Sequence, residues 1–405
     1  MPVNLPPLPR MLPVAGVRCA AVAAGVRKPG RLDLVLFEIA PGSRTAAAFT
    51  RNRFRAAPVQ VAERHLAAGS PRYLLINTGN ANAGTGAPGI EAALACCAAV
   101  ATHGGVQPED VLPYSTGVIG EPLPAERIVA GLPAAFAALD GDAWSAAAHG
   151  ILTTDTAPKG SSRKVGSGMP WVLTGISKGA GMIRPDMATM LAFIATDAAI
   201  AQPALDAMLR AAVEASFNRI TIDGDTSTND AVTLVATGAA DAEPIEGVDS
   251  PEGRAFGAAL TALCNELAQA IVRDGEGATR FVTVRIEGAR DTTEALAVAY
   301  AIAHSPLVKT ALFAGDPNWG RLLAAIGRAG IDDLDVTGVS LFLDEVCIAE
   351  GGAVAAGYRE ADGARVMAQP EILIRAHLGR GSSAETVWTT DLSYDYVKIN
   401  AEYRS

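Results

Sequence analysis

The stretch Lys178-Gly-Ala-Gly-Met-Ile-Arg-Pro-Asp-Met-Ala188-Thr189-Met-Leu-Ala-Phe-Ile-Ala-Thr-Asp197 sets a threonine between a loop bearing Gly179, Gly181 and Pro185 and an apolar run. A threonine hydroxyl is too weak an acid to attack a carbonyl at neutral pH, and pairing it with a free α-amine is one way of activating it. Cutting the Ala188–Thr189 bond would supply that amine on the same residue. Alone, an Ala-Thr pair reads as a helix cap or the start of a strand. The glycines and the proline are compatible with a strained loop but do not establish one, and the rest of the chain decides between the readings.

Working outward on the C-terminal side, Leu191 to Ile200 reads as a buried strand and Pro203 to Phe217 as an amphipathic helix with proline near its first turn. Glu252 to Arg273 is a further helix, stopped by Asp274-Gly-Glu-Gly277. Phe281 to Glu287 alternates as a strand and Thr292 to His304 reads as a helix. Leu334 to Ile348, Glu371 to Leu378 and Thr386 to Ile399 read as strands. On the N-terminal side, Leu32 to Ala40 and Tyr73 to Asn77 are short buried strands, while Ile90 to His103 and Leu123 to Leu139 are helices. Pro158 to Pro170 reads as an exposed loop or hairpin connection. The alternation predicts an α/β protein whose later part, residues 281–405 beyond a soft boundary near 280, is α+β.

A chain of 405 residues is long enough for roughly two or three domains. With nearly half its residues apolar, it can bury a large core. The formal net charge of −10 and the lack of any basic block argue against a nucleic-acid surface. Cys19, Cys96, Cys97, Cys264 and Cys347 are odd in number and lack CxxC spacing, so a reducing cytoplasm is expected rather than a disulfide scaffold or zinc site. His65, His103, His149, His304 and His377 show no metal-ligand spacing, and no metal is expected. The proline-rich start carries Arg10 and is interrupted by Arg18, unlike a secretory leader, and no run of about 20 apolar residues predicts a membrane span.

Two motifs look like sites and are weak. Gly84-Thr-Gly-Ala-Pro-Gly89 has the form of a dinucleotide loop, but Pro88 stiffens it and it does not directly follow the Tyr73–Asn77 strand. Asp223-Gly-Asp-Thr-Ser-Thr-Asn-Asp230 lacks the glycine and glutamate of a calcium loop, Thr228 and Leu234 standing there, and reads as a polar loop supporting the active site.

Several ordered blocks carry a stronger signal: Phe49-Thr-Arg-Asn52, Asn77-Thr-Gly-Asn-Ala-Asn-Ala83, Ser115-Thr-Gly-Val-Ile-Gly120, Thr153-Thr-Asp-Thr156, the Lys178–Asp197 stretch, Ser216 through Asp230, Ser305-Pro-Leu-Val-Lys-Thr310, Asp316-Pro-Asn-Trp-Gly-Arg321, and the ending Asn400-Ala-Glu-Tyr-Arg-Ser405. In this order, through most of the chain, they resemble the self-cleaving ornithine acetyltransferase family, also called bifunctional glutamate N-acetyltransferase. The resemblance implies an α/β sandwich, like that of self-processing aminopeptidases, cut into residues 1–188 and 189–405. It implies Thr189 as the nucleophile, with its freed amine as base, cleavage between Ala188 and Thr189, and an oxyanion hole from the Thr116 side chain and the Gly117 N–H.

Substrate contacts implied are Thr153, Lys178, Glu276, Asn400 and Ser405, the last a serine where the family often ends in threonine. Without the resemblance, Thr116 reads as a solvated turn threonine, Thr153 as a local hydrogen-bonder, Lys178 as a surface lysine, Glu276 as a turn glutamate, and the last residues as a polar tail. The implied reaction moves acetyl from N-acetylornithine to glutamate in arginine biosynthesis, without a coenzyme. Some family members also take acetyl from acetyl-coenzyme A, as a co-substrate; no stretch here reads as a site for it. Two copies of each cleaved chain are expected in the cytoplasm, with no membrane or nucleic-acid partner. The competing readings are an aminopeptidase or amidase of the same fold, with water as acceptor, and an uncleaved small-ligand binder. Thr78, Ile176, Ser177, Arg184 and Asp186 depart from the usual family residues, and none removes a proposed catalytic group.

Overall fold

The computed structural model describes residues 2–27, 29–165, 171–184 and 190–402, so Ala188, Thr189 and Ser405 lie outside the described residues. The chain divides into two units, the larger made of Pro6–Asn218 and Asp225–Ile271, the smaller of Met1–Leu5, Arg219–Gly224 and Val272–Ser405.

In the larger unit, the strands are β1 Val17–Val22, β2 Leu34–Ile39, β3 Arg44–Phe49, β4 Tyr73–Asn80, β5 Val111–Val118, β6 Lys159–Val165, β7 Trp171–Lys178, β8 Leu191–Thr196 and β9 Ala231–Ala236. Its helices are α1 Ala57–Ala68, α2 Gly86–Gly104, α3 Ala125–Ala137, α4 Trp144–Gly150, α5 Gln202–Ala215 and α6 Pro251–Arg273. One sheet runs β1-β2-β4-β5 and the other β3-β9-β8-β7-β6. The β4–β5 and β8–β9 pairs are parallel, the remaining pairs antiparallel. Phe37, Leu74 and Tyr114 from the first sheet meet Ile176, Phe193 and Val235 from the second in one core. Phe193 stacks on Phe37 with ring centres 5.6 Å apart and takes the edge of Tyr114 at 5.0 Å.

The unbroken apolar run Leu34-Val-Leu-Phe37 follows from burial on both faces of β2. Val35 and Phe37 point at the second sheet, while Leu34 and Leu36 join Cys97 and Val100 of α2 and Leu132 of α3. Leu263 and Leu267 of α6 press on Gly175 of β7, and α5 covers β3 and β9. The result is the helix–sheet–sheet–helix sandwich expected from the sequence. The 23-residue α6 holds an 18-residue window with a mean hydropathy of 1.4, half of it buried, as the core helix of a folded domain can. Its Leu260, Leu263, Cys264, Leu267 and Ile271 are buried within the protein.

The described part of Pro158–Pro170 corrects the expectation of an exposed segment: β6 forms a hairpin arm against β7, and Lys159 is 1% exposed. Strands β1, β3, β5, β7 and β9 were not foreseen. In β3 the alanines have little strand preference of their own, and pairing along β9 decides the conformation. The Gly84–Gly89 motif belongs to the start of α2. A Cβ on Gly89 would sit 1.9 Å from Thr85 Oγ1, and Asn82 bonds Thr85 and the Gly89 carbonyl at 2.8 and 2.9 Å.

The smaller unit contains β10 Phe281–Ala289, β11 Ser340–Leu343, β12 Val346–Glu350, β13 Ala353–Val354, β14 Glu371–His377 and β15 Ser383–Thr390, in the order β13-β12-β11-β14-β10-β15. Its helices are α7 Thr292–Ala303, α8 Pro306–Ala314, α9 Trp319–Gly327, α10 Glu360–Met367 and α11 Tyr394–Ala401. Val284, Ile286, Val298, Ile302, Leu341, Ile374 and Val387 form its core. Leu334–Ile348 is not one strand but the β11–β12 hairpin, turned at Asp344, whose φ is 49°. Thr386–Ile399 is likewise split: β15 stops at Thr390, and Ser393 caps α11 by accepting from Tyr396 N–H. The Tyr, Val and Ile of α11 had suggested a strand; the cap overrides them.

Candidate active site

Thr116 and Gly117 lie near the C-terminal end of β5, beside β4. The Asn-rich end of β4, with Asn82 just beyond it, builds this end. Asn77 Nδ2 donates to Asn80 O at 2.8 Å, and Asn80 Oδ1 accepts from Asn82 N–H at 2.8 Å. Asn229, from the polar loop before β9, donates to Ala81 O at 2.6 Å and Ser115 O at 2.9 Å, tying the two segments together. Gly117 has φ 134° and faces Gly79 with φ 103°. A Cβ on Gly117 would fall 2.3 Å from the Gly79 carbonyl carbon, so only glycine permits this approach of the two strands.

Lys178 ends β7 and pairs in register with Leu191, which in turn pairs with Ala231 of β9. Ala231 N–H donates to Met190 O at 2.9 Å, fixing the start of β8 next to the residue bonded to Thr189. Lys178 is 9% exposed, and its Nζ donates to Thr116 Oγ1 at 3.1 Å. Thr116, 8% exposed, is therefore a strand residue with a charged neighbour rather than a solvated turn threonine. A hydroxyl that accepts from an ammonium keeps its own proton for another acceptor, and the nearby positive charge makes it a better donor.

Asp155 lies beneath this pair. Its Oδ1 accepts from Lys159 Nζ at 2.7 Å and from Gly179 N–H at 2.6 Å, and its Oδ2 accepts from Thr153 N–H at 3.0 Å. Neither side chain of the Asp155–Lys159 pair is exposed. Burial pushes the Asp155 carboxyl up, but the charges of Lys159 and Lys178 together with the hydrogen bonds draw it well below the usual carboxylate range. Thr153 also sends its hydroxyl to Asp155 at 3.4 Å. Asp230 is the opposite case: burial pushes its carboxyl well above the usual range, against the Ser227 hydrogen bonds and the Lys178 charge. Among the described residues its Oδ2 has no hydrogen-bond partner.

In the smaller unit, Glu276 is 8% exposed on the turn after α6 and accepts from Asn400 Nδ2 at 2.8 Å. Ser393 Oγ donates to Gly277 O at 2.6 Å, and Asp391 accepts from Thr279 N–H and Arg280 N–H at 2.8 and 2.9 Å. This turn is held from three sides.

Thus Thr116 meets Lys178 beside Gly117, Asp155 joins Thr153 to Gly179, the residue after Lys178, and in the smaller unit Glu276 meets Asn400, while Ala188, Thr189 and Ser405 are outside the described residues. Sequence reasoning missed Asp155, Lys159, Asn229 and Asp230 as individuals. Asp155 sits inside the Thr153-Thr-Asp-Thr156 block and the last two close the Asp223–Asp230 loop, so the blocks themselves were the available signal.

The ArgJ family model matches residues 18–405. An arginine biosynthesis bifunctional protein ArgJ from Pseudomonas syringae pv. tomato is 56% identical over 406 residues, covering 100% of each chain. Among solved structures, an arginine biosynthesis bifunctional protein ArgJ from Bacillus halodurans matches at 37% identity over 51% of this chain and 95% of that one, with a TM-score of 0.48. An ornithine acetyltransferase from Mycobacterium tuberculosis, solved with ornithine, matches at 33% identity over 45% of this chain and 98% of that one, with a TM-score of 0.39.

Proposed function

The chain belongs to the ArgJ family, and from that premise we propose that it carries acetyl from N2-acetyl-L-ornithine to L-glutamate through an ester on Thr189. It is an acetyltransferase of arginine biosynthesis. Maturation comes first. Thr189 Oγ attacks the Ala188 carbonyl, the peptide C–N bond breaks, and one water opens the resulting ester to leave the Ala188 carboxylate and a free Thr189 amine and hydroxyl.

In transfer, Thr189 Oγ adds to the acetyl carbonyl while its amine takes the hydroxyl proton. Thr116 Oγ and the Gly117 N–H stabilise the oxyanion. The intermediate collapses as the C–N bond to ornithine breaks, the departing amine taking the proton back. Glutamate's amine then attacks the acetyl-threonine ester, its proton returns to Thr189 Oγ through the amine, and acetylglutamate leaves. Lys178 pairs with the substrate carboxylate and disfavours a second positive charge on the Thr189 amine, while Glu276, with Asn400, receives the ornithine ammonium. Thr153 and Ser405 complete the contacts.

The observation that supports this reading best is the Lys178–Thr116 hydrogen bond, set one strand position from the start of β8. The route needs no resident cofactor; acetyl-coenzyme A is a second acetyl donor if the chain is bifunctional. We place the enzyme in the cytoplasm as two copies of each cleaved chain. Purified enzyme given N-acetylornithine and glutamate should yield acetylglutamate and ornithine in equal amounts. Free acetate with no acetylglutamate would mean a hydrolase instead, and acetylglutamate formed from acetyl-coenzyme A alone would establish the second donor.

A further inference from the structure

Two buried carboxyls act on Lys178, and they differ. Burial pushes the carboxyl of Asp230, before β9, well above the usual range. Asp155 is ionised, and it does more than neutralise Lys159: the same Oδ1 that accepts from Lys159 Nζ also accepts from Gly179 N–H, the residue directly after Lys178. The backbone of Lys178 is thereby held on one side by the β7–β8 ladder and on the other by a carboxylate. Its side chain is delivered to Thr116 Oγ1 at 3.1 Å. Among the described residues, Asp155 from the segment before β6 and Asp230 before β9 both feel the Lys178 charge, and Lys159 at the start of β6 pairs with Asp155.

Resting on the acetyl-transfer reading above, we propose that Asp155 is a positioning residue for the reaction: it holds Lys178 in place and through it sets the Thr116 hydroxyl as a hydrogen-bond donor to the oxyanion. Thr153 belongs to the same device, since its N–H and hydroxyl both address Asp155 Oδ2. A fully buried ion pair is poor evidence of stabilisation, because well-packed apolar residues often serve as well. A pair placed next to a third charge that touches the oxyanion hole has a reason to be ionic.

The test compares wild type, Asp155→Asn and the double variant Asp155→Asn/Lys159→Met. The double variant removes both buried charges at once and so guards against a single variant that fails to fold because Lys159 is stranded. Acetyl transfer is followed against pH. Both variants are expected to lose kcat roughly tenfold or more, and in Asp155→Asn the alkaline limb of kcat is expected to move down by about one pH unit as Lys178 loses its negative neighbour. If the double variant folds and keeps the wild-type kcat, Asp155 serves the fold alone and the proposal is overturned. If wild type itself makes no acetylglutamate, the functional reading fails instead, and the two failures are distinguished by that control.

Discussion

Thr116 shows how one side chain acquires a role from its neighbours. Its hydroxyl accepts from Lys178 Nζ, which leaves its proton for a developing oxyanion. Replacing it with alanine is expected to lower kcat by about 10²–10³ with KM nearly unchanged, whereas Thr116→Ser retains most of the activity. Steady-state kinetics decides it, and a rise in KM alone would contradict the role. Asp155 makes a separate claim on stability. Its carboxyl lies below the ordinary value of 3.8 in the folded protein, so the unfolded chain holds the proton more tightly. The stabilisation is complete above pH 3.8 and is lost as pH falls from there through the folded value. Urea midpoints of wild type and Asp155→Asn should therefore converge as the pH drops below 3.8. A difference that stays constant would contradict this.

Among the elements, the paired ends of β4 and β5 bear the tightest constraint. Alanine at Gly117 would need φ 134° and would drive its Cβ into the Gly79 backbone. Strain alone is worth about 1–3 kcal/mol, so Gly117→Ala should unfold at lower urea than wild type and lose transfer activity; an unchanged midpoint would show that the two strands can part. The glycines were visible in the sequence as part of the Asn77–Ala83 and Ser115–Gly120 blocks, but their opposition across two strands was not. Buried runs such as Leu34–Phe37 and Leu191–Ile194 were legible because both faces of those strands are covered. Alanine-rich β3, and the helix hidden in Tyr394–Ala401, were not, because a pairing partner and the Ser393 cap fix them rather than local preference.

At the scale of the whole molecule, the chain returns to its units from distant points: residues 219–224 belong with 272–405, not with their sequence neighbours. Neither composition nor periodicity announces such a division, and the break at Asp274–Gly277 marked only one of its edges. The joining of Glu276 to Asn400, 124 positions apart, was likewise visible only as family resemblance. Asn400→Ala should raise KM for N-acetylornithine roughly tenfold while sparing kcat, since it removes the donor that holds Glu276 in position for the substrate ammonium; unchanged kinetics would remove Asn400 from the site. All of these roles presuppose that Thr189 becomes the first residue of a new chain. N-terminal sequencing and intact-mass measurement of active enzyme test this directly. The expected result is two chains, residues 1–188 and 189–405, the second beginning Thr-Met-Leu-Ala, with Thr189→Ala remaining whole and inactive. Full acetyl-transfer activity in an uncut chain of 405 residues would contradict the account.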